Sequence, residues 1–137
     1  MNRLLLDTCA LIWLVEGEPL SEQALAAVDQ SYVDGVPVMV SPFSAWERGM
    51  LISKGRLASP IPPLAWFDRL LERPELALAE LSPAILTHAS FLPGKPHNDP
   101  ADRIMIATAR ERDLTLVTRD EAILSYAAQG HVRALPC

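Results

Sequence analysis

Four acidic residues, Asp7, Glu47, Asp102 and Asp120, have side chains suited to metal chemistry, although they are scattered along the chain. Asp7 directly follows the apolar run 4–6, and the other three lie at or near the starts of predicted helices. If the fold brings the carboxylates together, they cannot all ionise without a cation between them. Hard divalent cations take oxygen ligands, and bound metal ions promote phosphodiester hydrolysis. The four acids are therefore the candidate catalytic and metal-binding residues.

Local structure offers a competing explanation for most of these acids. Asp99 and Asp120 are suitable N-caps, and Asp102 would then lie in the first turn of its helix, where an acid is favoured by the helix dipole. Ser44 and Glu47 have the Ser-x-x-Glu spacing of a capping box, but Glu47 falls in the second turn of the helix that we predict. Asp7 is harder to explain in this way, because an unpaired carboxylate in an apolar segment costs several kcal/mol.

The chain alternates short apolar runs with longer amphipathic stretches, which predicts an α/β fold. We predict strands over 4–6, 36–40, 76–81, 114–118 and 131–135, and helices over 8–15, 21–34, 41–54, 64–73, 82–91, 101–112 and 120–126. Nearly continuous apolar strands indicate a mostly parallel sheet covered by helices on both faces. Sites in such sheets lie beyond the carboxyl ends of the strands, where Asp7, Glu47 and Asp120 belong. Topology alone does not place Asp102 there.

Length and composition narrow the class of protein. A chain of 137 residues is expected to form one domain, residues 1–137, and no apolar stretch is long enough to predict a membrane span. The formal net charge of −5 disfavours a simple nucleic-acid binder. Cys9 and Cys137 have no metal-site or disulfide spacing, so we expect a buried Cys9 and an incidental Cys137. We expect a soluble intracellular protein.

Four ordered motifs with matching spacing resemble the PIN-domain ribonucleases, in particular the VapC-type toxins of bacterial toxin–antitoxin pairs. The motifs are Leu5-Leu6-Asp7-Thr8, Ser44-Ala45-Trp46-Glu47, His97-x-Asp99-Pro100-x-Asp102-Arg103 and Leu116-Val117-Thr118-x-Asp120. No single motif is decisive, but the ordered set is specific and spans residues 4 to about 126.

The resemblance implies a three-layer PIN-like fold, a site for Mg²⁺ or Mn²⁺, and cleavage of RNA in the cytoplasm. It carries the catalytic and metal-binding roles to Asp7, Glu47, Asp102 and Asp120. Thr8 and Thr118 match positions that often line the site, and His97 could contact substrate phosphate. Arg103 and Arg119 lie beside Asp102 and Asp120 in the sequence, so they could contact phosphate or bridge the acids. A cognate antitoxin and a second copy of the chain, in a homodimer, would be the protein partners.

Two alternatives remain open. The first is a non-catalytic RNA- or protein-binding module of the same fold, in which the acids serve only as caps. The second is a phosphatase or receiver-like domain, which needs a second acid at the end of the first strand, where Thr8 and Cys9 stand instead.

Arg48, Lys54 and Arg56 also give the third helix a basic end that could contact RNA backbone.

Overall fold

Five short strands form a single sheet in the computed structural model, which describes residues 3–137. The strands are β1 (Leu4–Leu6), β2 (Val38–Val40), β3 (Leu76–Leu78), β4 (Thr115–Thr118) and β5 (Arg133–Pro136). The helices are α1 (Thr8–Glu16), α2 (Glu22–Val33), α3 (Pro42–Ser53), α4 (Pro63–Leu71), α5 (Pro83–Ala89), α6 (Pro100–Arg112) and α7 (Glu121–Ala128). This is the alternation predicted from the sequence. None of the helices described in residues 3–137 is long and apolar enough to cross a membrane.

The strand order is β3-β2-β1-β4-β5, and every pairing is parallel. β1 lies at the centre, with Leu5 opposite Met39 of β2 and Leu116 of β4. The carboxyl ends of all five strands therefore meet at one edge of the sheet, which we call the site edge. The predicted parallel sheet is confirmed.

Successive residues of β1 point to opposite faces of the sheet, as strand geometry requires. Leu5 packs into a core with side chains of α5, α6 and α7, whereas Leu4 and Leu6 pack into a second core with α1, α2 and α4. All three leucines are at most 1% exposed. The fold thus has three layers, with helices on both faces as predicted.

The second strand starts two residues later than predicted. The N–H of Val36 donates to the carbonyl of Ser31 at 2.9 Å and so belongs to the turn after α2. Pro37 has no N–H to donate to a neighbouring strand. Apolar character alone extended the prediction into a segment whose backbone bonds are used elsewhere.

Replacing Leu5 by alanine should destabilise the protein strongly, because Leu5 is fully buried in the central strand. We expect the free energy of unfolding to fall by about 2–5 kcal/mol, the range typical of buried leucine truncations. Denaturant unfolding followed by circular dichroism measures the change. Leu25→Ala, at a side chain that is 40% exposed, is the control and should cost under about 1 kcal/mol. Equal losses for the two variants would contradict the described packing.

Candidate metal centre

Three aspartates at the site edge cap helices. Asp7 Oδ1 accepts a hydrogen bond from the N–H of Ala10 at 2.7 Å, and Asp120 Oδ1 accepts one from Ile123 at 3.0 Å. Asp99 accepts from the first turn of α6, as predicted. Capping by Asp7 was not anticipated, although the helix that starts directly after it was predicted over 8–15. A cap uses only part of the lone-pair capacity of a carboxylate, so capping leaves room for a cation.

Thr118 connects Asp7 to Asp120. Its buried hydroxyl donates to Asp7 Oδ2 at 2.6 Å and accepts from the N–H of Asp120 at 3.1 Å. Burial raises the pKa of Asp7, and the hydrogen bonds from Thr118 and from the Ala10 N–H partly offset that rise. The last residue of β4 therefore orients the acid that follows β1.

Glu47 reaches the site edge from α3 and is held by Thr8. The Thr8 hydroxyl donates to Glu47 Oε1 at 2.5 Å and shares a hydrogen bond of 2.9 Å with Ser44. A hydroxyl has one hydrogen, so Ser44 must be the donor in the second bond. Burial is the main cause that raises the pKa of Glu47, and the charges of Asp99 and Asp7 add to it.

Asp102 lies in the first turn of α6, and the fold brings it to the same edge. One oxygen of Asp102, one of Asp120 and one ring nitrogen of His97 lie within 4.8 Å of one another. Burial, followed by the nearby charges of Asp99 and Asp120, raises the pKa of Asp102 to about 7. The carboxylates around Asp102 therefore repel one another when ionised, and a bound cation would relieve that repulsion.

A cleft of about 210 Å³ collects these side chains. It is lined by Asp7, Thr8, Cys9, Trp13, Glu47, Asp102, Met105, Arg119 and Asp120. All four predicted acids are therefore brought together. Their oxygens form the donor set that a hard divalent cation prefers.

Two further residues, Trp13 and Arg119, line the cleft. Trp13 was not predicted as part of the site, whereas Arg119 was considered for contact with phosphate or with the acids. The Arg119 guanidinium carbon lies 4.0 Å from the centroid of the Trp13 ring, and Arg119 also donates to the carbonyl of Cys137. The position of Arg119 beside Asp120 in the sequence was the available signal. Its contacts show that it packs over Trp13 instead of bridging the acids.

The expectation for Arg103 is corrected by its contacts. Its Nε donates to the carbonyl of Ala89 at 2.9 Å, and its Nη1 donates to the carbonyl of His97 at 3.3 Å. Among the described residues, the hydrogen bonds of this guanidinium go to backbone carbonyls at the end of α5 and at His97, and none goes to a carboxylate. Arg103 thus links the end of α5 to the segment that carries His97.

The cysteine expectations were reversed. Cys9 is exposed and lines the cleft, whereas Cys137 is buried at 7% exposure in the core beneath α1, α2 and α4. Partial burial of the thiol in the cleft, followed by the charges of Asp7 and Glu47, raises the pKa of Cys9. The thiol beside the acids is thus kept in its neutral form.

The predicted basic end of α3 is also corrected. Arg48 is only 3% exposed, and its guanidinium carbon lies 3.7 Å from the centroid of the Trp66 ring. Its Nη2 donates to Ser59 Oγ at 3.3 Å. Lys54 and Arg56 remain exposed, so only these two could contact a polyanion.

Neutralising Asp102 should stabilise the metal-free protein at high pH. The pKa of Asp102 is raised from 3.8 to about 7, so its ionisation removes stability as the pH rises through that window. At pH 8 we expect the free energy of unfolding of Asp102→Asn to exceed that of the native protein by about 1–2 kcal/mol. This difference corresponds to a melting temperature that is higher by roughly 3–8 °C. At pH 4 the gain should disappear. Thermal melts with a chelator present measure it, and the exposed Asp68→Asn is the matched control; a gain independent of pH would contradict the assignment.

Comparison with known proteins agrees with this geometry. The family model of the PIN domain matches residues 4–129. Ribonuclease VapC22 of Mycobacterium tuberculosis is 32% identical over 127 residues, which cover 92% of this chain and 93% of that protein.

Solved structures share the fold. The VapBC2 structure from Rickettsia felis, bound to a DNA fragment from their promoter, superposes with a TM-score of 0.67 at 14% identity and covers 96% of each chain. The DNA-bound VapBC structure from Salmonella typhimurium gives a TM-score of 0.65 at 18% identity, covering 99% of this chain and 98% of that chain. With an acidic cleft at the carboxyl edge of a parallel sheet and a match over most of its length, this chain belongs to the PIN-domain family, among its VapC-type members.

Proposed function

We propose that the protein is a metal-dependent endoribonuclease and the toxin of a type II toxin–antitoxin pair. The observation that carries the proposal is the cleft in which Asp7, Glu47, Asp102 and Asp120 converge from four separate elements. Within residues 3–137, no lysine or arginine forms an ion pair with any of the four carboxylates. The pKa of Asp102 is raised to about 7. A divalent cation, Mg²⁺ or Mn²⁺, would relieve that repulsion.

The four acids would hold the cation, which supplies an activated water and stabilises negative charge on phosphate oxygens. Thr118 and Thr8 keep Asp7 and Glu47 in fixed orientations through short hydrogen bonds. Because the caps and threonines already hold the carboxylates in place, little reorganisation is needed when the cation and substrate bind.

RNA is the proposed substrate, since the related protein from Mycobacterium tuberculosis is named as a ribonuclease. A cognate antitoxin is the proposed protein partner, because the structural neighbours are VapBC assemblies. With these partners the protein would act in the cytoplasm. Residues 1–137 would serve as a single PIN domain.

A homodimer is also proposed, and exposed apolar side chains supply area for it. Trp46 is 58% exposed, Leu64 is 70% exposed and Phe91 is 80% exposed.

Sedimentation at micromolar concentration should give the mass of two chains, and the measured mass should fall to that of one chain on dilution. A single-chain mass at every concentration would refute the dimer and leave the nuclease proposal intact.

Neutralising the acids should abolish cleavage without unfolding the protein. We expect Asp7→Asn, Asp102→Asn and Asp120→Asn each to lower Mg²⁺-dependent RNA cleavage by on the order of 10²-fold or more, because each removes a ligand charge. Cleavage of a labelled RNA and growth arrest on induction are the measurements. The exposed Asp68→Asn should retain both.

The same experiment separates the alternative function. A non-catalytic binding module of the same fold would show no metal-dependent cleavage and no saturable Mn²⁺ binding, and neutralising the acids would leave RNA or protein binding unchanged. Full cleavage and toxicity in Asp7→Asn and Asp120→Asn would sink the nuclease proposal.

A further inference from the structure

The imidazole of His97 is held between two aspartates of the α6 N-terminus. Its Nδ1 accepts a hydrogen bond from the backbone N–H of Asp99 at 2.9 Å. Its Nε2 faces Asp102 Oδ2 at 3.5 Å, and the side chain is 31% exposed. His97 thus contacts the site from the loop side, and its two ring nitrogens have different neighbours.

The Asp99 N–H decides which nitrogen carries the proton. A ring nitrogen that accepts a hydrogen bond has its lone pair free and carries no hydrogen, so the neutral ring must be protonated on Nε2. An Nε2–H group is a donor and has no lone pair to offer to a metal ion. Turning the ring over would place carbon against the Asp99 N–H and leave that donor unpaired.

The backbone that carries the ring is fixed independently of any ligand. Arg103 Nη1 donates to the carbonyl of His97 at 3.3 Å, and Arg103 Nε donates to the carbonyl of Ala89 at 2.9 Å. The Tyr126 hydroxyl donates to the carbonyl of Pro93 in the same connection. The ring is therefore held in place before a cation binds.

We propose that His97 is a positioning residue: its Nε2–H orients the carboxylate of Asp102, and the ring does not ligate the metal. This inference rests on the proposed metal-dependent function. Proximity alone would make His97 a third ligand beside Asp102 and Asp120, but the hydrogen bond at Nδ1 excludes that role. At 3.5 Å, Nε2 and the Asp102 oxygen are in electrostatic contact, at a distance longer than that of a standard hydrogen bond. Outer groups that orient metal ligands typically contribute 10–100-fold to metal affinity.

The tautomer can be observed directly by nitrogen NMR of the ¹⁵N-histidine-labelled, metal-free protein above neutral pH. Disappearance of one spin system in His97→Gln assigns the His97 signals among those of the three histidines. The proposal expects a protonated Nε2 and an unprotonated Nδ1. A ring protonated on Nδ1, with Nε2 free, would overturn it.

Mn²⁺ binding gives a second measurement that does not involve RNA. Glutamine can place an N–H donor near the Nε2 position, whereas leucine cannot. We expect His97→Leu to weaken Mn²⁺ binding by about 10-fold or more and His97→Gln to stay within about 3-fold of the native protein. The matched control, His88→Leu, alters a histidine whose side chain is 58% exposed and pairs with Glu111, and it should bind Mn²⁺ normally.

Electron spin-echo spectra of the Mn²⁺-loaded protein distinguish a donor from a ligand. The proposal expects no nitrogen directly bound to Mn²⁺; a strong ¹⁴N coupling that vanishes in His97→Gln would overturn it, as would equal weakening by glutamine and leucine. Melting curves show whether each variant is folded, and the tautomer is read from the native protein once His97→Gln has assigned the signals. If Mn²⁺ binds as expected and RNA is not cleaved, the proposed nuclease function fails while the role of His97 stands.

Discussion

The parallel pairing of β1 with both β2 and β4 is the constraint on which the site depends. Parallel strands end at the same edge, so the residue after β1, the last residue of β4 and the helices that follow β2 and β4 must meet there. The hydrogen bond from Thr118 to Asp7 exists only because β1 and β4 are in this register. Burial of Leu5 on one face and of Leu4 and Leu6 on the other fixes that register, since a one-residue slip would exchange the two faces.

Crowding acids at this edge is costly, and the fold offsets the cost unevenly. Asp7 and Asp120 accept hydrogen bonds from helix N–H groups, and Asp7 and Glu47 also accept from threonine hydroxyls. These bonds stabilise carboxylate charge before any cation arrives. Asp102 receives less help and has a pKa of about 7. Capping and metal binding are therefore compatible uses of the same carboxylates, and a cap is no argument against a site.

The connection between α5 and α6 shows how one side chain can decide the role of another. Arg103 follows Asp102 directly, which made contact with the acids or with phosphate a reasonable expectation. Its guanidinium instead finds carbonyls left free at the end of α5 and at His97. These two hydrogen bonds hold the backbone of His97 so that its imidazole contacts Asp102. Arg103 is thus linked to the site through the backbone, because carbonyls that lack a partner are strong acceptors for its N–H groups.

The sequence by itself determined the order of strands and helices, the parallel sheet, the caps at Asp99 and Asp120 and the identity of the four acids as a set. The elements and caps follow from local periodicity and turn chemistry, which act over a few residues. The grouping of the four acids came from the resemblance of the ordered motifs to the PIN-domain family. Tertiary structure decided which side chains meet. The convergence of Asp102 with Asp120, the burial of Arg48, the exposure of Cys9 and the contact of His97 with Asp102 depend on packing between elements distant in the chain. Such contacts depend on the relative placement of whole helices, and local sequence patterns do not predict that placement.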